Sequence, residues 1–169
     1  NCSLDLDLFN IVYSDLFILM GEALLKIAEE LKCEIEKDVL ENIKNFWHEG
    51  TETLMSQEIG EVSVETGMSI ETGGILAGLL NVFEKIKADL KLNEERRKEY
   101  RHKISIRSSE WIGILRQVAE KITGRTGGKH PIIIFEDLDK LNPEDAWKVF
   151  YNYAAILSGM TFPVIYTFP

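Results

Sequence analysis

Apolar side chains recur at helical spacing along most of residues 11–124, which is the pattern of helices that bury one face. The pattern predicts core-facing helices over residues 11–31, 35–50, 75–92 and 108–124. Before the third of these, residues 57–72 alternate apolar and polar side chains with a period of two, which predicts an edge strand, a hairpin or, because of the acidic side, a mobile excursion. The N-terminal part of the chain is therefore expected to be mainly helical.

A charged segment, NEERRKEYRHK at residues 93–103, concentrates basic side chains. They are Arg96, Arg97, Lys98, Arg101 and Lys103, and glutamates lie between them. Opposite charges one helical turn apart predict a solvated helix face with ion pairs. Contact with nucleic acid, or an arginine finger for a neighbour's nucleotide, is the alternative interpretation of the same residues.

The pattern changes at residues 132–141, IIIFEDLDKL, where an apolar run is followed by acidic residues. The β-branched and aromatic side chains at 132–135 predict a strand buried on both faces, as in a parallel sheet. Glu136, Asp137 and Asp139 follow at the carboxyl end of that strand, where open α/β sheets bind their ligands. Carboxylates grouped in this way indicate a functional site more than plain core.

A helix and a second strand are predicted after the acidic residues. Asn142 is a good N-cap and Pro143 suits the first helical position, so the helix is expected to begin there. Its apolar positions continue at helical spacing to Leu157, and Gly159 is expected to stop it. The apolar residues 162–169 then predict a second strand. Strand, helix and strand make a βαβ unit, whose strands run parallel.

The acidic segment with Glu136, Asp137 and Asp139 resembles the Walker B segment of P-loop NTPases, in the "DxLD" form of AAA-like and STAND-type (signal-transduction) ATPases. The resemblance implies the α/β fold class, with a partial P-loop NTPase-type parallel sheet flanked by several amphipathic helices in a helix-rich chain. It implies ATP and Mg²⁺ as ligands of a domain that binds and hydrolyses ATP as a molecular switch or motor. Other protein subunits or domains, including further copies of the chain, are the implied partners.

The resemblance also implies roles for individual residues. Glu136 matches the acid on the metal side, and Asp137 or Asp139 matches the acid that polarises the attacking water. A second alignment makes Asp137 the metal ligand with Asp139 behind it, and the sequence leaves both open. Thr167, near the end of the second strand, matches the polar sensor residue that faces the γ-phosphate. The family usually has Asp where Glu136 stands, so this departure puts the metal position and catalysis in question.

The phosphate-binding loop of these enzymes is not found in the 169 residues. Its nearest counterpart, GRTGGKH at residues 124–130, has the wrong glycine spacing, carries His130 where Ser or Thr is needed, and precedes a strand instead of a helix. This segment is predicted to be a helix C-cap followed by a turn. A strand carrying the missing loop is expected between the two predicted strands, which would leave a gap or an unusual pairing between them.

Residues 1–169 are therefore expected to form a single domain that is an internal part of a larger ATPase domain. It comprises a helical region at residues 11–124 and the βαβ unit at residues 131–169. Without the phosphate-binding loop, the chain alone is expected to be inactive and not to bind ATP tightly.

Two functions of other classes stay open. The domain could be a nucleotide-dependent scaffold, in which ATP binding controls assembly and hydrolysis is slow or lost. It could also be a protein-interaction module whose acidic residues pair with Arg or Lys of a partner. Turnover measurements separate the first of these from an ATPase, and a phosphate-binding loop elsewhere in the polypeptide would argue against the second.

Charge and composition narrow the expected partners. A formal net charge of −9 disfavours broad contact with a phosphate backbone, so nucleic acid is not an expected partner. With 45% hydrophobic and 28% charged residues and no apolar run of membrane-spanning length, a globular protein without a membrane partner is expected. Cys2 and Cys33 lack metal-ligand spacing and are expected to be free thiols in a reducing compartment, the cytoplasm.

Overall fold

The computed structural model describes residue 6, residues 10–48 and residues 72–167. Its helical region contains α1 (Tyr13–Glu30), α2 (Lys37–His48), α3 (Thr72–Leu92), α4 (Glu94–Ile106) and α5 (Ser108–Arg125). The C-terminal part contains β1 (Ile133–Phe135), a 3₁₀ turn (Leu138–Lys140), α6 (Pro143–Ala146), a π-helical turn (Trp147–Tyr151), α7 (Ala154–Leu157) and β2 (Val164–Tyr166). The described chain is thus helix-rich with a small parallel sheet.

The helices predicted from apolar periodicity are confirmed, with bounds that differ by a few residues. The solvated charged segment is also helical, as α4, and Asn93 caps it by accepting a hydrogen bond from the Arg96 N–H at 3.1 Å. The strand or hairpin predicted at residues 57–72 lies outside the described residues except for Thr72, which belongs to α3.

The core of the helical region is a cluster of aromatic rings, in which α1 packs against α3, α4 and α5. The cluster consists of Phe46, Trp47, Phe83, Tyr100 and Trp111, each at most 2% exposed. The Trp111 indole N–H donates to the carbonyl of Phe17 at 3.0 Å, so the polar atom of this buried ring is satisfied. A Cβ on Gly21 would lie 2.5 Å from the Trp111 ring, so only glycine permits this approach of α1 to α5.

A buried ion pair joins the start of α1 to α4. Arg101 donates from Nε to Asp15 Oδ1 at 2.9 Å and from Nη2 to Oδ2 at 2.6 Å, while the Asp15 side chain is only 1% exposed. Asp15 also accepts the Val12 N–H at 3.0 Å, which satisfies one free donor at the helix start. Burial raises the pKa of Asp15 above its ordinary value, and the hydrogen bond and charge of Arg101 act in the opposite direction.

This pair corrects the interpretation of the charged segment as an entirely solvated face. The expected surface pairs are present, as with Lys98 and Glu94 at 2.6 Å. Arg97, however, is 9% exposed and donates to the carbonyl of Leu90, and Arg101 reaches α1. The physical reason is that arginine carries several donors on a long apolar stem, which lets it bridge helices at a partly buried position.

A second charged network joins α1 to α3. Lys26 lies 2.7 Å from Glu22 and 2.6 Å from Glu84, measured between side-chain nitrogen and oxygen. Lys87 lies 2.8 Å from Glu22 and 3.0 Å from Glu84. The hydrogen bond from Lys26, with help from Lys87, lowers the pKa of Glu84 to about 2.

Strands β1 and β2 run parallel, with Ile133 opposite Val164 and Phe135 opposite Tyr166. The predicted parallel arrangement of the βαβ unit is confirmed. The strands pair directly with each other, so of the two expected alternatives, a gap or an unusual pairing, the structure has the pairing.

The prediction that the first strand is buried on both faces is wrong. Ile133 and Phe135 are buried, but Ile132 and Ile134 on the other face are 56% and 53% exposed. The connection between the strands covers one face of the sheet, as the contact of Phe150 with the ring of Tyr166 at 5.3 Å illustrates. Within the described residues the opposite face is left largely open to solvent.

The single helix predicted between the strands is also wrong, because the connection is broken into α6, the π-helical turn and α7. It begins as predicted, with Asn142 accepting the Asp145 N–H at 2.9 Å, and ends at Leu157 before Gly159. The break follows the π-helical turn, where Tyr153 departs from helical geometry (φ −116°, ψ 17°). Its ring stacks on that of Tyr13 in α1 at 4.2 Å, a long-range contact that local spacing does not encode.

No helix in the described residues is long and apolar enough to cross a membrane.

Asp15→Leu should lower the free energy of unfolding by about 3 kcal/mol, because it leaves the Arg101 guanidinium in a mostly buried position without its carboxylate. The double variant Asp15→Leu/Arg101→Met removes both charges and should recover most of that loss. Urea denaturation of both variants and of the wild type measures the difference. A double variant less stable than the single one would show that the hydrogen bonds from Arg101 to Asn10 stabilise the fold more than the unpaired charge destabilises it.

Glu84→Gln should alter the pH dependence of stability. Since the folded-state pKa of Glu84 is about 2, below the ordinary 4.5, the ionised carboxylate stabilises the fold above pH 4.5 and loses that contribution as the pH falls towards 2. The stability difference between wild type and Glu84→Gln should therefore be constant at neutral pH and shrink across this window. Thermal unfolding over a pH series measures it.

Glu120→Gln is the matched control, because Glu120 is exposed on α5 and makes no ion pair with a described residue. This control measures what the replacement of a glutamate by glutamine does to stability where no described cation is paired with the carboxylate. A Glu84→Gln curve parallel to that of this control would contradict the assigned role of the network.

Candidate functional site

The carboxyl ends of β1 and β2 meet at one edge of the sheet, where the sequence placed its candidate site. The Thr167 N–H and hydroxyl both donate to the carbonyl of Phe135, at 3.1 Å and 3.0 Å. Glu136 follows Phe135 directly, so Thr167 and Glu136 are neighbours across the two strands. The structure therefore brings together the acidic segment and Thr167, as the parallel βαβ unit predicts.

Asp137 turns the chain sharply after β1. Its backbone is left-handed (φ 69°, ψ 6°), a conformation that Asp tolerates better than most residues with a Cβ. The turn is closed by the Lys140 N–H, which donates to the Asp137 carbonyl at 3.1 Å, and anchored by fully buried Leu138. Strained backbone of this kind is common at functional sites.

The carboxylate of Asp137 is already paired. Its Oδ1 lies 2.5 Å from the Lys140 ammonium, and the side chain is 14% exposed. The hydrogen bond that Lys140 donates to the Asp137 carboxylate, together with the negative charge of that carboxylate, raises the pKa of Lys140. Asp137 therefore both shapes the turn and neutralises its nearest cation.

Glu136 and Asp139, in contrast, are exposed and make no hydrogen bond or ion pair with a described residue. Asp139 lies in the 3₁₀ turn, two residues beyond Asp137. The acidic segment is thus divided into one paired carboxylate and two whose oxygens are open to a ligand.

The few carboxylates of the acidic segment suit Mg²⁺ better than a metal ion whose ligands all come from protein side chains. Within the described part of the chain, no three His, Cys, Asp or Glu side chains gather as a metal site. Mg²⁺ commonly takes one or two carboxylates and completes its shell with water and substrate phosphate. Glu136 can supply such a ligand directly, whereas Asp137 must first release Lys140. The metal assignment to Glu136 and Asp137 stays a prediction.

The sensor role of Thr167 also stays a prediction. Its hydroxyl proton is used in the hydrogen bond to Phe135, so donation to a phosphate would require that bond to open.

The segment GRTGGKH has the structure predicted for it. Helix α5 ends at Arg125, and the Gly128 N–H returns to the Thr123 carbonyl at 2.9 Å. Gly127 and Gly128 have φ of 70° and 94°, which glycine adopts without strain. The prediction of a helix C-cap and turn leading into a strand is confirmed.

Beneath the site, sequence reasoning missed an apolar cavity of about 330 Å³ between the crossover and β2. It is lined by Phe150, Ala154, Leu157, Ser158, Met160, Phe162, Val164 and Tyr166. The Tyr166 hydroxyl is buried without a hydrogen-bond partner in the described residues, and burial raises its pKa. The apolar positions up to Leu157 and the apolar residues 162–169 predict packing, and periodicity carries no signal for a pocket that stays open between them.

Comparison of the chain with protein-family models, with curated proteins and with solved structures finds no match. A functional interpretation therefore depends on the residues and contacts of this chain.

Asp137→Gly and Asp137→Ala test the strained turn. Both variants lose the ion pair to Lys140 equally, but alanine must adopt φ near 69° while glycine does so freely. The alanine variant should be less stable than the glycine variant by about 1 kcal/mol in chemical denaturation. Equal stability of the two would mean that the turn relaxes and that the left-handed backbone is not a fixed feature of the site.

Proposed function

We propose that this chain forms part of the ATP-binding and ATP-hydrolysing domain of a P-loop NTPase, of the AAA-like or STAND type, that works as a molecular switch or motor in the cytoplasm. The observation that supports this best is the parallel pairing of β1 with β2. It puts the carboxyl ends of both strands, which Glu136 and Thr167 follow directly, at one edge of the sheet, the edge at which open α/β sheets bind ligands. An antiparallel pairing would have separated them.

The proposed chemistry is phosphoryl transfer to water, in which a protein mainly positions groups and neutralises charge. Mg²⁺, when bound, would neutralise charge on the phosphates. Glu136 would hold it, with the longer side chain setting the distance from β1. Asp139, exposed and unpaired with any described cation, would orient the attacking water. Asp137 would keep the turn rigid, or bind the metal in the alternative alignment after release of Lys140.

The proposal requires a phosphate-binding loop from outside these 169 residues, since its backbone N–H groups and lysine supply most contacts to a triphosphate. Partner domains or subunits fit the same proposal, because an incomplete site must be completed by other segments. If Glu136 holds the metal poorly, the domain would bind nucleotide and control assembly with little turnover.

A protein-interaction module is the second candidate. The observations that favour it are the two open carboxylates of Glu136 and Asp139, the occupied carboxylate of Asp137 and the occupied hydroxyl of Thr167. In this reading, arginine or lysine of a partner protein would pair with the open carboxylates. Such a module would show no ATP turnover.

In a protein that carries these residues together with a phosphate-binding loop, Asp139→Asn and Asp137→Asn should each reduce ATP turnover by about 100-fold or more. Nucleotide affinity and the unfolding transition should change little, because neither substitution alters side-chain volume much. Steady-state phosphate release and calorimetric ATP binding measure the two effects separately.

Asp38→Asn is the matched control, since Asp38 is an exposed acid in the first turn of α2. Its turnover should equal that of the wild type. Wild-type turnover in both site variants would leave the acids as turn residues and favour the interaction module.

A further inference from the structure

Two large aromatic side chains are exposed side by side on the connection between β1 and β2. Trp147 is 59% exposed and Tyr151 is 65% exposed, and their rings stack with centroids 4.0 Å apart and planes 17° from parallel. We call these two residues the aromatic patch. Exposed tryptophan and tyrosine that already hold each other in a fixed geometry are the residue types that dominate binding energy at protein interfaces.

The backbone that carries the aromatic patch is unusual. Trp147 and Tyr151 are the first and last residues of the π-helical turn between α6 and α7. Such turns are rare and are found frequently at functional sites. Here the two exposed rings are carried by the two ends of the π-helical turn, so the turn determines how far apart the rings lie.

The charges around the aromatic patch favour a cationic partner. Lys148 lies between the two aromatic residues, but its ammonium is paired with Asp145 at 3.1 Å. Glu144, one helical turn before Trp147, is exposed, and its carboxylate makes no ion pair or hydrogen bond with a described residue. The chain as a whole has a formal net charge of −9, which attracts basic partners and repels phosphate backbones.

We propose that the aromatic patch, with Glu144, is a docking site for an arginine-bearing segment of a partner protein. A guanidinium is planar, so it stacks on an aromatic ring and can pair with a carboxylate in two places, whereas a lysine ammonium does neither as well. The site uses none of the residues of the proposed ATPase site, so its success or failure does not depend on that function.

The test is a titration of the isotope-labelled protein with the peptide GRGGRGGRG and with its counterpart GKGGKGGKG. The arginine peptide should shift the Trp147 indole N–H signal in a saturable manner and bind about fivefold more tightly than the lysine peptide. In calorimetry, Trp147→Ala and Tyr151→Ala should each weaken the arginine peptide about fivefold or more. Glu144→Gln should weaken it about threefold and reduce its salt dependence.

Leu92→Ala is the matched control, because Leu92 is an apolar residue of α3 that is 84% exposed, and its affinity for the peptide should be unchanged. The variants carry surface substitutions, and circular dichroism confirms that each is folded. Equal affinity for the two peptides, or unchanged affinity of Trp147→Ala for the arginine peptide, would show that binding depends only on net charge and would overturn the proposal. Absence of binding at millimolar peptide, or stronger displacement of the Trp147 signal by a single-stranded oligonucleotide, would overturn it as well.

Discussion

The close approach of α1 to α5 is the constraint on which the helical region depends. Trp111 lies so near Gly21 that a Cβ there would come within 2.5 Å of the indole ring. The same ring donates to the backbone of α1 and packs against Phe46 and Phe83 at 4.8 Å and 6.1 Å between centroids. Trp111 thus connects α2, α3 and its own helix α5 with α1. Their positions relative to α1 depend on Gly21, because a side chain there would push the indole ring away.

Charged groups then fix how the other helices lie against α1. The Asp15 carboxylate holds α4 through Arg101, and the network around Glu22 holds α3. For the buried Asp15 carboxylate, desolvation costs free energy that Arg101 only partly returns, so this pair contributes less to stability than its short contacts suggest. The network around Glu22 and Glu84 is more exposed, and the ionised Glu84 carboxylate adds to the stability of the fold.

The sequence pattern predicted the parts of the fold that depend on interactions between residues close in sequence. Periodic apolar residues gave the helices of the N-terminal region, and the turn chemistry of Gly127 and Gly128 gave the end of α5. The parallel strands followed from their spacing around a helix. Arg101 was not predicted to bridge to α1 at a partly buried position, because its partner Asp15 is distant in sequence. The contact of Tyr153 with Tyr13 is also long-range, so local spacing does not predict it.

For the candidate site, the sequence predicted that the acidic segment and Thr167 follow the carboxyl ends of two parallel strands, but not the state of each side chain. Glu136 and Thr167 are neighbours across the two strands. Lys140 pairs with Asp137, whereas the Asp139 carboxylate makes no ion pair with a described residue. The choice depends on the distances between side chains within the turn, which the sequence does not give.

The stacked rings of Tyr13 and Tyr153 have a mechanical consequence. Tyr153 belongs to the connection between β1 and β2. Tyr13 is the first residue of α1, two residues before Asp15 of the ion pair with Arg101. A displacement of the connection must therefore either carry the start of α1 with it or separate the two rings. The tyrosine pair is thus a direct contact between the connection that follows the acidic segment and the start of α1.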